Sequence, residues 1–167
     1  DPGPALLFGA GTPRAVEGPS RIFLIVYPPT PRTMTLPPMV LDALSGVVGP
    51  RHVRVAPAEL ETYAADGLPT HRSRPAAVVV PGNRDELIRV VRLLAHHAVP
   101  FVARGAGTGL SGGALGDAGS VVIALTRLHR IITVDADNRL AVVEPGVVNA
   151  KLTEAVAPLG LHYAPDP

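Results

Sequence analysis

A chain of 167 residues, 47% hydrophobic and 17% charged, is long and apolar enough for one packed domain with or without a tail, which excludes wholesale disorder. A net charge of +1, no basic stripe and only 4% aromatics exclude the usual nucleic-acid footprints, phosphate neutralisation and base stacking. There is no cysteine, so disulfides, thiolate catalysis and cysteine–zinc sites are excluded too.

In chain order, residues 1–38 stand apart. They are rich in proline and glycine, with Pro28, Pro29, Pro31, Pro37 and Pro38 clustered at the end. Proline removes a backbone donor and fixes φ, so the expectation is a flexible tail without helix or central strand. Ile22–Tyr27 is the densest apolar run near the start, but it meets Pro28-Pro29 and is too short for a signal-peptide core. No run approaches the ~18 residues of a membrane span, and the expectation is a soluble, cytoplasmic chain without a transmembrane segment.

From Met39 a periodicity begins. Val40, Leu41, Leu44, Val47 and Val48 predict a helix ended by Gly49-Pro50. Val53–Val55 reads as a short strand, 62–74 as loop, and Ala76–Val80 as a buried strand stopped by Pro81-Gly82. Asn83 then reads as an N-cap, with Glu86 three residues on. Leu87, Val90, Val91, Leu94 and Ala98 make one apolar helical stripe before Pro100. Further strands are predicted at Phe101–Ala103, Val121–Leu125, Ile131–Val134 and Leu140–Glu144, the last two flanking a hairpin turn at 135–139. Asn149 reads as the cap of a final helix running to about Ala157.

The most informative stretch follows the strand–helix–strand unit: Arg104, Gly105, Ala106, Gly107, Thr108, Gly109, Leu110, Ser111, Gly112, Gly113. Each glycine costs roughly 0.5–1 kcal/mol of extra chain entropy on ordering, so five cost on the order of 3–5 kcal/mol. A plain turn needs one or two. Five point to a backbone that comes close to a guest and aims its N–H groups at it, a phosphate or pyrophosphate being the usual one, with Arg104 of matching sign.

Three motifs overlap the loop, and each lacks a part. Gly107-x-Gly109-x-x-Gly112 has the dinucleotide spacing, but the glycine-rich 113–119 does not suit the helix that should open there. No strand-end acid sits ~20 residues on. Gly107 and Gly112 have P-loop spacing, but Gly113-Ala114 stands where Lys and Ser/Thr belong. Gly109-Leu-Ser111-Gly-Gly113 matches a nucleophile elbow without the helix behind it. A glycine-rich surface loop that binds nothing stays open as the bland alternative.

Four stretches carry a resemblance: Arg74–Pro81, Val99–Gly113, Ala141–Val147 and Gly160–Pro167. From about Met39 to Pro167 the chain resembles the beginning of the PCMH-type FAD-binding domain of FAD-linked oxidases, the vanillyl-alcohol oxidase and p-cresol methylhydroxylase superfamily. Its likeness is strongest to the glycolate oxidase and D-lactate dehydrogenase branch. The resemblance implies an α+β fold, an α/β subdomain leading into a mainly antiparallel one. It implies FAD, with the pyrophosphate on the backbone of Arg104–Gly113 and the Thr108 and Ser111 hydroxyls assisting. A β-branched side chain at Gly107 is then expected to lie where the diphosphate goes. Pro145 and Gly146 would line the adenine–ribose side, and Ala164–Pro167, with Pro165 and Asp166, would start along the ribityl chain and flavin.

Some relatives tether FAD through a histidine of this loop. Thr108 stands at that position here, so non-covalent FAD is implied. The parent activity implied is oxidation of a small-molecule 2-hydroxy acid such as glycolate or D-lactate. Hydride would pass from its α-carbon to flavin N5, and electrons onward to an acceptor protein, a quinone or oxygen. In the family a substrate cap domain carries the catalytic histidines and metal ligands, and the expectation is that this chain is the N-terminal part, truncated before them. His96 and His97 read as surface helix residues, His162 and Tyr163 as packing residues with an approach of either to the flavin as the alternative, and no catalytic residue is named. A non-catalytic nucleotide-binding or structural domain is the alternative from another class.

Overall fold

The computed structural model describes residues 35–164, together with the backbone of β1 (Arg14–Val16) and β2 (Leu24–Val26). The chain divides into two compact units, 1–31 and 32–167. In the first, β1 and β2 pair antiparallel, Arg14 opposite Val26 and Val16 opposite Leu24. This two-stranded pairing holds neither a helix nor a central strand, and the other residues of 1–34 lie outside the described residues.

The second unit opens with α1 (Pro38–Val48), capped by Pro37 and starting on Pro38. Proline at the first helical position loses no bond, because that N–H has no intrahelical partner in any helix. Pro37-Pro38 therefore deliver the chain into a helix rather than excluding one. Gly49, at φ 86°, ends it. After a 3₁₀ turn at Pro50–His52 come β3 (Val53–Arg54), α2 (Pro57–Glu61), β4 (Ala77–Val79), α3 (Arg84–His96), β5 (Phe101–Arg104) and β6 (Val121–Ala124).

These strands form one sheet in the order β3-β4-β6-β5. β3 is antiparallel to β4, and the other three are mutually parallel, with Val78 and Val102 both opposite Val122. The β4–α3–β5 crossover steps over the place that β6 later fills.

The central strands are buried on both faces, which is why they read as unbroken apolar runs rather than alternating ones. On one face Ala77, Val79, Val121 and Ile123 pack against Val40 and Leu44 of α1 and Val90 and Leu94 of α3. On the other, Val78, Val80, Val122 and Ala124 pack against Leu60 of α2 and Tyr63 behind it. α2 is an element that the sequence pattern does not announce.

Asn83 caps α3 as predicted, its Oδ1 accepting the Glu86 N–H at 2.9 Å; the Glu86 carboxylate reaches back to the Gly82 N–H at 2.7 Å. The stripe ends sooner than predicted. Ala98 is exposed and left-handed (φ 51°), because the helix has already closed at His97.

The second subdomain begins with β7 (Ile131–Asp135) and β8 (Leu140–Val143), an antiparallel hairpin with a bulge at Ile132. Asp135 accepts from the Asn138 N–H and side-chain amide across the turn, and Arg139 takes the left-handed position (φ 53°). α4 (Asn149–Val156) follows. Its cap is Val148 rather than the predicted Asn149, which is the first helical residue. Among the described residues no helix is long and apolar enough to cross a membrane.

Asn83→Ala removes the cap acceptor and leaves Glu86 half of its reciprocal arrangement. The expected cost is about 1 kcal/mol, read as a lowered urea midpoint at unchanged slope.

Candidate functional site

β5 ends on Arg104, and the Leu125 N–H just past β6 donates to the Arg104 carbonyl at 2.8 Å. The glycine-rich stretch therefore leaves the carboxyl end of a parallel strand, where mixed α/β folds place ligands. No helix follows it. Residues 105–120 run through turns and bends to β6. The dinucleotide fingerprint and the nucleophile elbow both need a helix at this point, so both fail on geometry.

Arg104 does not project into solvent. It is 7% exposed and turns back under its own loop, with Cζ 5.6 Å from the centre of the Tyr63 ring, within cation–π range. Its Nη1 is buried and has no hydrogen-bond partner among the described residues. A buried guanidinium N–H without an acceptor is costly, so an anion at this position would satisfy it.

The five glycines divide by reason. Gly107 has φ 78°, and a Cβ there would lie 2.4 Å from the Arg104 Cζ, so conformation and the guanidinium together demand glycine. The expectation that a side chain at Gly107 fills the diphosphate's place is thereby corrected: it would strike Arg104. Gly112 is required by φ 74° alone. Gly105, Gly109 and Gly113 are different. None has a positive φ, and a Cβ on any of them meets nothing within 4 Å. Neither backbone strain nor packing among the described residues accounts for them.

The donors point the same way. Among the described residues, the N–H groups of Ala106–Ser111 and Gly113 have no protein acceptor, and the exposed Thr108 and Ser111 hydroxyls have no protein partner. The residues present thus fit a diphosphate: a run of free N–H donors, bare Cα positions facing open space, and a buried cation beneath.

A second segment braces the loop. Asp66 Oδ1 accepts from the Leu68 N–H at 2.9 Å and Oδ2 from the Gly112 N–H at 2.8 Å, while the Gly67 N–H donates to the Gly109 carbonyl at 2.9 Å. The Leu68 N–H above all, then that of Gly112 and the Arg104 charge, hold the Asp66 carboxyl below its ordinary value. Asp66, Gly67 and Tyr63 fall in 62–74, which the sequence presents simply as loop. The Asp-Gly dipeptide signals a turn, but nothing local points 46 residues ahead.

Pro145 and Gly146 lie just after β8. The Gly146 N–H donates to the Leu128 carbonyl at 2.7 Å, and a Cβ there would sit 2.4 Å from the Leu125 carbonyl oxygen. Close backbone packing thus accounts for glycine at 146. Beside it, the buried Glu144 accepts from the Arg130 N–H at 2.8 Å and from the Arg130 guanidinium at 3.0 and 2.8 Å. This ties β8 to the turn behind β6.

His162 and Tyr163 line a groove of about 620 Å³ between the hairpin and α4, with Val134, Ala141 and Leu152 among its walls. None of its lining residues belongs to the glycine-rich loop. His96 and His97 are exposed at the end of α3. Pro165 and Asp166 lie outside the described residues.

The Arg130 contacts, side chain first, hold the Glu144 carboxyl below its ordinary 4.5. A depressed carboxylate stabilises the fold fully above its unfolded pKa and loses that contribution as pH falls through the folded one. Glu144→Gln is therefore expected to unfold more easily at neutral pH. Its difference from wild type should shrink as pH drops below 4.5, read as urea midpoints across an acid series.

Comparison with known proteins adds the family. The FAD binding domain signature matches residues 75–167. The chain is 37% identical over 128 residues to glycolate oxidase subunit GlcD of Bacillus subtilis, covering 77% of this chain and 27% of that protein. It is 31% identical over 121 residues to D-lactate dehydrogenase of Anaerostipes hadrus, covering 72% and 26%. Among solved structures, p-cresol methylhydroxylase with substrate bound superposes at TM-score 0.62 with 22% identity, over 74% of this chain and 25% of that one, a likeness of fold. The chain thus spans about a quarter of the length of the relatives it matches. With the four-motif resemblance, the α+β architecture and the signature in agreement, the chain belongs to the FAD binding domain family.

Proposed function

We propose that Arg104–Gly113 receives the pyrophosphate of FAD. The observation that carries this is the set of three glycines, Gly105, Gly109 and Gly113, whose bare Cα atoms face open space without a conformational or packing need. The backbone N–H groups of Ala106–Ser111 donate to the phosphate oxygens, and the Thr108 and Ser111 hydroxyls add two further donors. Arg104 acts from below. Its buried charge offsets the diphosphate's without occupying the cradle, and its free Nη1 N–H finds an acceptor there. Pro145 and Gly146 border the adenine–ribose side through their backbone, and Pro165 and Asp166 begin the path along the ribityl chain. FAD is held without a covalent bond, since Thr108 offers no ring nitrogen to a flavin.

Residues 39–167 are, on this reading, the first part of the cofactor domain of a cytoplasmic flavin-dependent dehydrogenase or oxidase for a 2-hydroxy acid such as glycolate or D-lactate. Bound flavin supplies the hydride acceptor for the substrate's α-carbon. A cap domain supplies the substrate site, and an acceptor protein or quinone takes the electrons. The names of the GlcD and D-lactate dehydrogenase relatives support this class.

Gly109→Val places a branched side chain in the cradle without striking protein. The full-length protein should lose roughly tenfold or more in FAD affinity, about 1.4 kcal/mol per decade, in a fluorescence titration. Unchanged affinity would sink the loop assignment. Reduction of the bound flavin by anaerobic glycolate or D-lactate tests the substrate class, and no bleaching by either would overturn it.

A further inference from the structure

We propose that Asp66 and Gly67 form a positioning clasp that sets the loop's geometry for the FAD diphosphate, a role that rests on the loop reading above. The clasp grips at two points, the Gly112 N–H on the Asp66 carboxylate and the Gly109 carbonyl on the Gly67 N–H. Leu110 and Ser111 lie between. In a trans peptide the carbonyl and the following N–H point in opposite directions. With the Gly109 carbonyl turned to Gly67, the Leu110 N–H must point away from the clasp. With the Gly112 N–H turned to Asp66, the Ser111 carbonyl must point away as well. The 66–68 turn therefore sets two peptides of the loop: that of 109–110, with the Leu110 N–H turned outward as a donor, and that of 111–112, with its N–H engaged.

The approach is too close for any other residue at 67. A Cβ there would lie 2.6 Å from the Thr108 carbonyl oxygen and 3.1 Å from that of Gly109. The choice of an acid at 66 also needs a reason, since a carboxylate beside an anion site repels the guest. Both Asp66 oxygens are engaged by backbone N–H groups, and the Arg104 charge lies near. The acid is thus turned to the loop's backbone with its charge offset. A neutral amide cannot do the same work: asparagine has one acceptor oxygen, and its amino group would face the Gly112 N–H donor to donor.

The test uses the full-length holoprotein with Asp66→Asn, Gly67→Ala and Gly109→Val. Asp66→Asn and Gly67→Ala should each weaken FAD binding roughly tenfold, the scale of one lost charge-assisted hydrogen bond. They should also shift the phosphorus NMR resonances of the bound diphosphate, with the flavin's visible absorption envelope unchanged. A residue that only helps the chain fold would lower the melting temperature and leave those resonances in place, and that result overturns the clasp. If Gly109→Val weakens FAD while the other two leave affinity and resonances alone, the clasp falls and the loop assignment stands. If all three bind FAD as wild type does, the loop assignment falls and takes the clasp with it. Should Asp66→Asn fail to fold, Gly67→Ala decides alone, because it adds one methyl group and removes no polar atom.

Discussion

Two strands buried on both faces leave no place for a functional group except beyond their ends. Every side chain of β4 and β6 is at most 1% exposed, so the middle of the sheet offers no polar surface. Two arginines sit where the parallel strands end: Arg104 closes β5, and Arg127 reaches back from the turn after β6 to the Val80 carbonyl at 3.0 Å. Gly82 yields space for it, since a Cβ there would lie 2.5 Å from the Arg127 Nη2. The glycine-rich loop issues from this edge. Its position follows from the sheet, whose core excludes everything except aliphatic side chains.

Arg104 links that edge to the loop's composition. A guanidinium turned under a loop needs a residue without a side chain directly above it, and Gly107 is that residue. The loop thus uses glycine for unlike purposes: Gly107 to clear Arg104, Gly112 for a left-handed turn, and Gly105, Gly109 and Gly113 to leave the outer surface bare. A count of five glycines was readable from composition. The division among reasons was not, because it depends on where one arginine side chain goes. An exposed arginine and a buried one are identical in sequence.

Much of the fold was legible for local reasons. α3 carries its cap, its acidic first turn and its apolar stripe within fifteen residues. β4 and β6 are β-branched runs with breakers beside them, and the 135–139 turn sits between alternating strands. The failures share a different origin. α2 is five residues long, too short for a periodicity to show. The cap at α4 went to Val148 and the left-handed closure to Ala98, each within a residue or two of the expected helix end, the range over which residue preference does not fix a boundary. Asp66 and Gly67 signal a turn in the sequence but not what the turn braces. Their partners lie more than forty residues away, and a loop braced by another loop leaves no periodic trace.

On the proposed reading of the loop, the charge balance gives this bracing a purpose. A net charge of +1 adds little long-range attraction for a diphosphate. Attraction then rests on short-range donors, whose strength falls steeply when distance or angle drifts. Backbone N–H groups serve only if the loop holds its shape before the ligand arrives, because ordering five glycines at the moment of binding would subtract from affinity. A clasp at Gly109 and Gly112, with a buried guanidinium at Gly107, fixes the loop at three points within six residues. The flexibility that lets glycine approach a phosphate closely is thereby confined to local geometry, and the donors stand ready.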